Sequence, residues 1–213
     1  MEYGTPDAIH NLQQGSFLSN MSNFWFQGHP DYDKLCMPFA HLIRQSGKRE
    51  LLSPEWESTV DGQLAQLILC DQLSRNCFRG TDEAYAYDEA ALQYARRLSD
   101  ACIVPTDPPT IALQGDFYPP CSTFCITAMM HSEEIKDHVK AFLILEWAKA
   151  KGSEELSFWW NSQAKSLQEH NEVLKKFGRY PHRNDNKGRK STKDEKEWLA
   201  NIEDLPGWAK SQL

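Results

Sequence analysis

The sequence predicts an all-α protein, on three observations. Apolar residues recur at helical spacing over long stretches, no stretch keeps up the alternation of a strand, and glycines, prolines and capping residues punctuate the chain at lengths that suit helices. Neither GxGxxG nor GxxxxGK[ST] interrupts the pattern. With 213 residues the chain can bury a sizeable core, and residues 1–213 read as one helical domain.

Residues 1–6 read as a loose end. From Asp7 the positions Ile9, Leu12, Phe17, Leu18, Met21, Trp25 and Phe26 indicate a helix, weakened by Gly15 and closed by Gly28-His29-Pro30. Phe24-Trp25-Phe26 is expected to dock as a core anchor, because adjacent rings cannot all face water cheaply. A short helix from Asp31 is interrupted at Pro38, and another runs from Phe39 to Ser46 before Gly47 stops it. Ser53-Pro54 offers a cap and a first-turn proline.

The stretch from Asp61 to Gly80 organises the rest. Val60, Leu64, Leu67 and Ile68, widened by Leu69, Cys70 and Leu73, make a helix apolar on nearly every side, which belongs in the middle of a domain. Its far end carries Asp71, Gln72, Arg75, Asn76 and Arg79 within an arc of about 140°. Thr81 then caps a helix from Asp82 to Leu98, with Ala84, Ala91, Leu92, Ala95 and Leu98 inward. Five prolines between residues 99 and 120 rule out a continuous helix and mark a long connection, a lid or an insertion.

The apolar run from Phe124 to Met130 leads into His131-Ser132-Glu133, after which Ile135, Val139, Phe142, Leu143 and Trp147 keep helical spacing to Gly152. A helix from Ser153 to Gly178 shows the cleanest stripe: Leu156, Trp160, Ala164, Leu167, Asn171, Leu174 and Phe177. Residues 179–190 form an irregular basic loop. Thr192 with Glu195 is a capping box opening a last helix, which Pro206-Gly207 ends.

Composition excludes several classes. Apolar residues make up 40% and aromatics 11%, too much for a disordered chain. With 30 acidic and 23 basic residues the net charge is −7, which argues against nucleic acid or an anionic membrane as a partner. The six cysteines contain no CxxC pair and sit in apolar runs, so they read as reduced buried thiols. No basic leader and no run of roughly 18 apolar residues is present, so a soluble, cytoplasmic protein is expected.

Three constellations carry candidate chemistry. Asp71 with Arg75 and Gln72 with Asn76 are i, i+4 pairs; they are either a buried structural network or a ligand site that also uses Arg79, since a buried guanidinium needs a carboxylate or an anionic guest. His131 beside Ser132 and Glu133 is either a general base oriented by a carboxylate or the start of a capped helix. From Gly178 to Lys193 there are six basic residues and one acidic, a local +5 that suits a phosphate or carboxylate or, as the bland alternative, a solvated loop. His170, near an apolar stripe, reads as a core histidine. No metal-ligand spacing such as HExxH links the histidines, so no metal is expected.

At these constellations the sequence resembles the family catalogued as domain of unknown function 924. The resemblance runs through Phe24-Trp25-Phe26; Leu64-Ala65 and Asp71-Gln72-x-x-Arg75-Asn76-x-Phe78-Arg79-Gly80; Tyr85 to Asp88; His131-Ser132-Glu133; and Phe177 to Asn184 with Gly188-Arg189 and Ser191-Thr192. It implies antiparallel helix pairs in a compact right-handed array like that of tetratricopeptide-repeat (TPR) proteins. Departures are Ile126-Thr127-Ala128 in place of an aromatic-Leu-Pro step, Ser74 in place of a proline, and a longer connection over residues 99–120. The resemblance also implies that the polar segments share one pocket. There Gln72, Arg75, Asn76, Arg79, Arg179, Arg183, Asn184 and Arg189 would hold a small anion. His131 or His182 would move a proton, oriented by Glu133 or Asp71, with no built-in cofactor. The alternative is a TPR-like scaffold that binds a peptide or protein.

Overall fold

The computed structural model describes residues 25–26, 30–51, 53–103, 118–152 and 154–210, and among these every regular element is helical. Apart from Trp25 and Phe26, the expected helix from Asp7 lies outside the described residues, as do residues 104–117 of the proline-rich connection. Among the described residues no helix is long and apolar enough to cross a membrane.

Helices α1 (Pro30–Cys36) and α2 (Ala40–Gly47) are separated by a 3-10 turn at Met37–Phe39, as Pro38 requires. After α3 (Pro54–Glu57), Thr59 caps α4 (Val60–Ile68) by accepting the Gly62 N–H at 3.0 Å. Gly62 permits the tight α3/α4 corner, since a Cβ there would lie 1.9 Å from the Glu55 carbonyl oxygen.

The polar half of the 61–80 stretch does not continue α4 plainly. Leu69–Leu73 winds as one π-helical turn before α5 (Ser74–Cys77). Such turns are rare and concentrate at functional sites. Here the Ser74 hydroxyl satisfies the carbonyls of Cys70 at 2.7 Å and Asp71 at 3.1 Å.

The expected helix from Asp82 to Leu98 is broken. Asp82–Tyr85 is a 3-10 turn and α6 (Asp88–Leu98) starts only after Tyr87. Thr81 is not its cap, because that hydroxyl donates to the Phe78 carbonyl at 2.7 Å instead. The break lets the Tyr85 ring and the Asp88 carboxylate reach Arg75 and Arg183.

Helix α7 (Tyr118–Met130) takes in Pro119 and Pro120, placed in its first turn where no intrahelical N–H is needed. Every residue from Pro119 to Met130 is buried, and α7 packs on α4, α6, α8 (Ile135–Lys151) and α9 (Ser157–Phe177). It is α7, apolar all round, that occupies the middle, and the 61–80 stretch lies beside it. Short connections join α7 to α8 and α8 to α9, and the three helices pack on one another.

Helix α8 presents a different face from the expected one. Ile135, Val139 and Leu143 are exposed, while Asp137, His138, Ala141, Ile144, Leu145 and Ala148 are buried. Small Ala141 and Ala148 admit close packing, and Asp137 and His138 are tied to Ser132. Helix α9 ends at Gly178 in the left-handed conformation, φ 71°. The capping box of Thr192 and Glu195 opens α10 (Lys193–Ala200), and beyond Pro206 the chain turns helical again as α11 (Gly207–Lys210).

The main core surrounds α7, and a smaller one gathers Cys36, Ile43, Leu69, Leu73, Phe78 and Ala84. The π turn contributes to both, through Cys70 to the first and Leu69 and Leu73 to the second. Cys36, Cys70, Cys77 and Cys121 are free thiols, and burial pushes Cys70 and Cys77 up to about 11.

Candidate functional site

Where the π turn, α5, the end of α7, α9 and the Gly207-Trp208 step face one another there is a cavity of about 470 Å³, a volume suited to a small molecule. Gln72, Arg75, Asn76 and Arg79 reach it from one helical stretch, His131 from the end of α7, and His182 and Arg183 from the 3-10 turn at Pro181–Arg183.

Asp71 stands directly behind this wall and is 2% exposed. Its Oδ1 lies 2.7 Å from His131 Nδ1 and 3.2 Å from Arg75 Nη1, while Oδ2 accepts from the Gln72 amide. Burial by itself would raise this carboxyl, but the His131 ring and the Arg75 guanidinium hold it well below the ordinary carboxylate range. An ionised Asp71 keeps the His131 proton on Nδ1, so Nε2 is the ring nitrogen left with a lone pair. Burial, followed by the charge of Arg75, lowers the His131 pKa against the pull of Asp71. That shift favours the neutral form of the ring.

Two buried guanidinium groups share Asp88. Arg75 Nη2 lies 3.0 Å from its Oδ1, and Arg183 Nη1 lies 3.1 Å from its Oδ2. Arg183 Nη1 also donates to the His131 carbonyl at 2.9 Å. The Tyr85 ring takes both cations, with Cζ of Arg75 at 5.7 Å and of Arg183 at 5.2 Å from its centroid. Arg79 grips Asp33 with two bonds, 2.7 and 3.1 Å. Arg75, Arg79 and Arg183 thus face Asp33, Asp71 and Asp88, and their formal charges sum to zero.

The other predicted residues assemble next to this wall without lining it. Glu133 receives a fork from Arg189, at 2.6 and 2.9 Å, and the Tyr180 N–H at 3.0 Å. Burial would raise its carboxyl, but Arg189 and that N–H hold it low. Arg179 forks onto Glu195 at 2.6 and 2.8 Å, and the Asn184 amide bonds Ser191 at 3.0 Å and Glu195 at 3.2 Å. Arg179 in turn keeps the Glu195 carboxyl at about 2.

Backbone pinning makes the corner after α7 rigid. The carbonyl of Met130 accepts from the Tyr180 hydroxyl, that of His131 from Arg183, and that of Ser132 lies 3.0 Å from His138 Nε2. The Ser132 hydroxyl accepts the Glu134 N–H at 3.0 Å and donates to Asp137 at 2.6 Å, but it does not cap α8, whose N-cap residue is Glu134.

Several wall residues escaped sequence reasoning. Trp159, Ser162, Gln163, Ser166 and His170 line the cavity from α9. Their spacing was the available signal, because polar residues at i, i+3, i+4 and i+7 from a buried tryptophan mark a helix face that borders something other than core. His170 is buried but not a plain core residue: its Nδ1 lies 2.7 Å from the Ser166 carbonyl, and its ring stacks on Trp208 at 3.8 Å. Burial, then His131, pushes its pKa well below the ordinary value; burial, then Arg183, does the same for His182. Tyr85 and Asp88 stood in a quoted segment without a role. Nothing local marked Trp208. Among the described residues no group of three or more His, Cys, Asp or Glu is placed to hold a metal ion.

The sequence profile of a family described as bacterial protein of unknown function (DUF924) matches residues 14–203, a span that holds every wall residue named above except Gly207 and Trp208. A solved structure of a protein of unknown function from Agrobacterium tumefaciens is similar, with 26% identity, a TM-score of 0.59, and coverage of 86% of this chain and 97% of that one. No curated protein matches.

Proposed function

This chain belongs to the bacterial family of unknown function DUF924, and on that premise we propose that it is an acid-base enzyme that binds a small anion in the 470 Å³ cavity and moves a proton with His131. The observation that carries the reading is the buried Asp71-His131 pair at 2.7 Å, with Arg75 on the same carboxylate and Arg183 on the His131 carbonyl. Asp71 orients the ring and His131 Nε2 exchanges the proton. Arg75 and Arg183, with Gln72, Asn76 and Arg79 around them, position a carboxylate or phosphate. His182 is a second proton carrier on the same wall. Glu133, Arg179, Asn184 and Arg189 support this wall by fixing the corner after α7. No cofactor or metal enters this chemistry.

Charge balance ties binding to the proton. The three arginines around the cavity are matched by three aspartates, so an arriving anion is compensated when a cavity histidine, His131 first, takes up a proton. The imidazolium then faces Asp71 on one side and the guest on the other.

The TPR-like scaffold, with helix pairs in a right-handed array, has one observation in its favour: Ile135, Val139 and Leu143 form an exposed apolar row on α8 suited to a protein partner. It gives no role to the buried dyad. Thermal-shift titration of carboxylates, phosphates and short peptides separates the two, since a ligand of the native state raises its melting temperature in proportion to affinity and concentration. Anion shifts that vanish in His131→Gln support the enzyme. Shifts given only by peptides and unchanged in that variant support the scaffold.

A further inference from the structure

Building on that reading, we propose that the cavity takes a two-part guest, a carboxylate head beside His131, Arg75 and Arg183 and a flat aromatic tail against Phe26 and Trp159. The cavity is elongated along α9. Its lining positions run from Trp159 to His170, and at 1.5 Å per residue that is about 16 Å. The two ends differ in chemistry. At the His170 end the His131 ring centre is 5.9 Å away, and Arg183 bonds the His131 carbonyl.

At the Trp159 end two buried polar groups are already satisfied within the protein. The Trp159 indole N–H donates to Thr123 Oγ1 at 2.9 Å, and the Thr127 hydroxyl donates to the Thr123 carbonyl at 2.8 Å. Apart from the exposed Ser162, what faces the cavity there is mostly ring carbon. Phe26 lies 6.2 Å from Trp159 at a 40° tilt and 6.3 Å from Phe124, and Trp25 meets Phe124 edge-on at 5.7 Å. Rings set at such angles extend the edge-to-face packing to one more ring. Between the ends, Gln163 is 7% exposed and its amide oxygen has no hydrogen-bond partner among the described residues, so the middle of the cavity is polar.

The head is a monoanion. One proton on His131 balances one negative charge, whereas a phosphate monoester carries close to two at neutral pH.

The test is a calorimetric titration of the full chain with butyrate, 4-phenylbutyrate and 4-cyclohexylbutyrate. We expect phenylbutyrate to bind about tenfold tighter than butyrate, the gain a buried ring provides, and cyclohexylbutyrate to fall between them. Phe26→Ala and Trp159→Leu should each remove most of that gain, measured as the ratio of phenylbutyrate to butyrate affinity in the same variant; if the second variant does not fold, the half-buried Phe26 decides. His131→Gln should weaken all three acids alike. A ring that adds less than about twofold, a gain that survives the Phe26 variant, or a cyclohexyl compound equal to the phenyl one overturns the aromatic tail. Butyrate binding that depends on His131 without any ring gain leaves the acid-base reading standing and sinks this inference alone. If none of the acids binds, both fall.

Discussion

His131 and Glu133 are two residues apart on one corner, and each is met by arginine, yet they end up in opposite surroundings. Around Glu133 the pairing is closed: a two-bond fork from Arg189 and a backbone N–H occupy the carboxylate, and the neighbouring Arg179 and Glu195 fork likewise occupies itself. Around His131 the pairing is shared and incomplete. Arg75 divides itself between two aspartates, Asp88 serves two arginines, and the imidazole spends one nitrogen on Asp71 while its side chain borders open space. The same residue types build a strut in one place and a candidate site in the other. What distinguishes them is whether any polar atom is left facing a cavity.

The contrast sharpens when each cluster is cut. His131→Gln should have the largest effect, a loss of about a hundredfold or more in turnover once a substrate is known, with near-normal melting, because an amide keeps the bond to Asp71 but cannot carry the proton. Asp88→Ala should cost about 3 kcal/mol in denaturant unfolding, since it leaves two buried guanidinium groups short of a carboxylate. If that variant melts normally, the shared pairing is not what holds the wall together.

Acid should act on the cavity side at a higher pH than on the strut. Burial holds His170 and His182 well below the ordinary histidine value of about 6.5, so the unfolded chain binds protons first. Their contribution is complete above that value and is lost as pH falls through it. Glu133 and Asp71 are depressed carboxylates, so what they contribute persists to the ordinary carboxylate range and disappears only as pH falls below it. Chemical denaturation midpoints from pH 8 to pH 4 should therefore begin to fall near 6.5, and His170→Phe should weaken that first fall.

Glu133→Gln should cost about 1 kcal/mol, discounted because the Arg189 pair is partly open to water, and should change anion affinity less than the His131 variant does. A larger change in affinity would move the strut into the site. Thr192→Ala is the mildest cut, about 1 kcal/mol or less from the lost cap of α10, with anion affinity unchanged by calorimetry.

Much of the site was legible from short-range spacing. Asp71, Gln72, Arg75, Asn76 and Arg79 share one side of a helix by count alone, and His131 stands where an apolar run turns polar. The depth of that cluster was not legible, because the π turn at Leu69–Leu73 alters the helix within the motif and depends on tertiary support. Asp88 was passed over because it stands in the interior of the helix expected from Asp82 to Leu98, and only the break at Tyr87 brings it to two arginines. The exposed row of Ile135, Val139 and Leu143 misled because spacing identifies a face without saying which way it turns.

The sequence by itself determined the helices, most of their ends, and which residues carry polar chemistry, because these depend on periodicity and capping within a few residues. Only the tertiary structure decided that α7 is innermost, that Glu133 locks a corner while His131 borders a cavity, and that Trp208 joins the wall. Those outcomes depend on contacts between segments far apart in the chain, where packing space and the sharing of a few carboxylates select one arrangement among many that the local pattern allows.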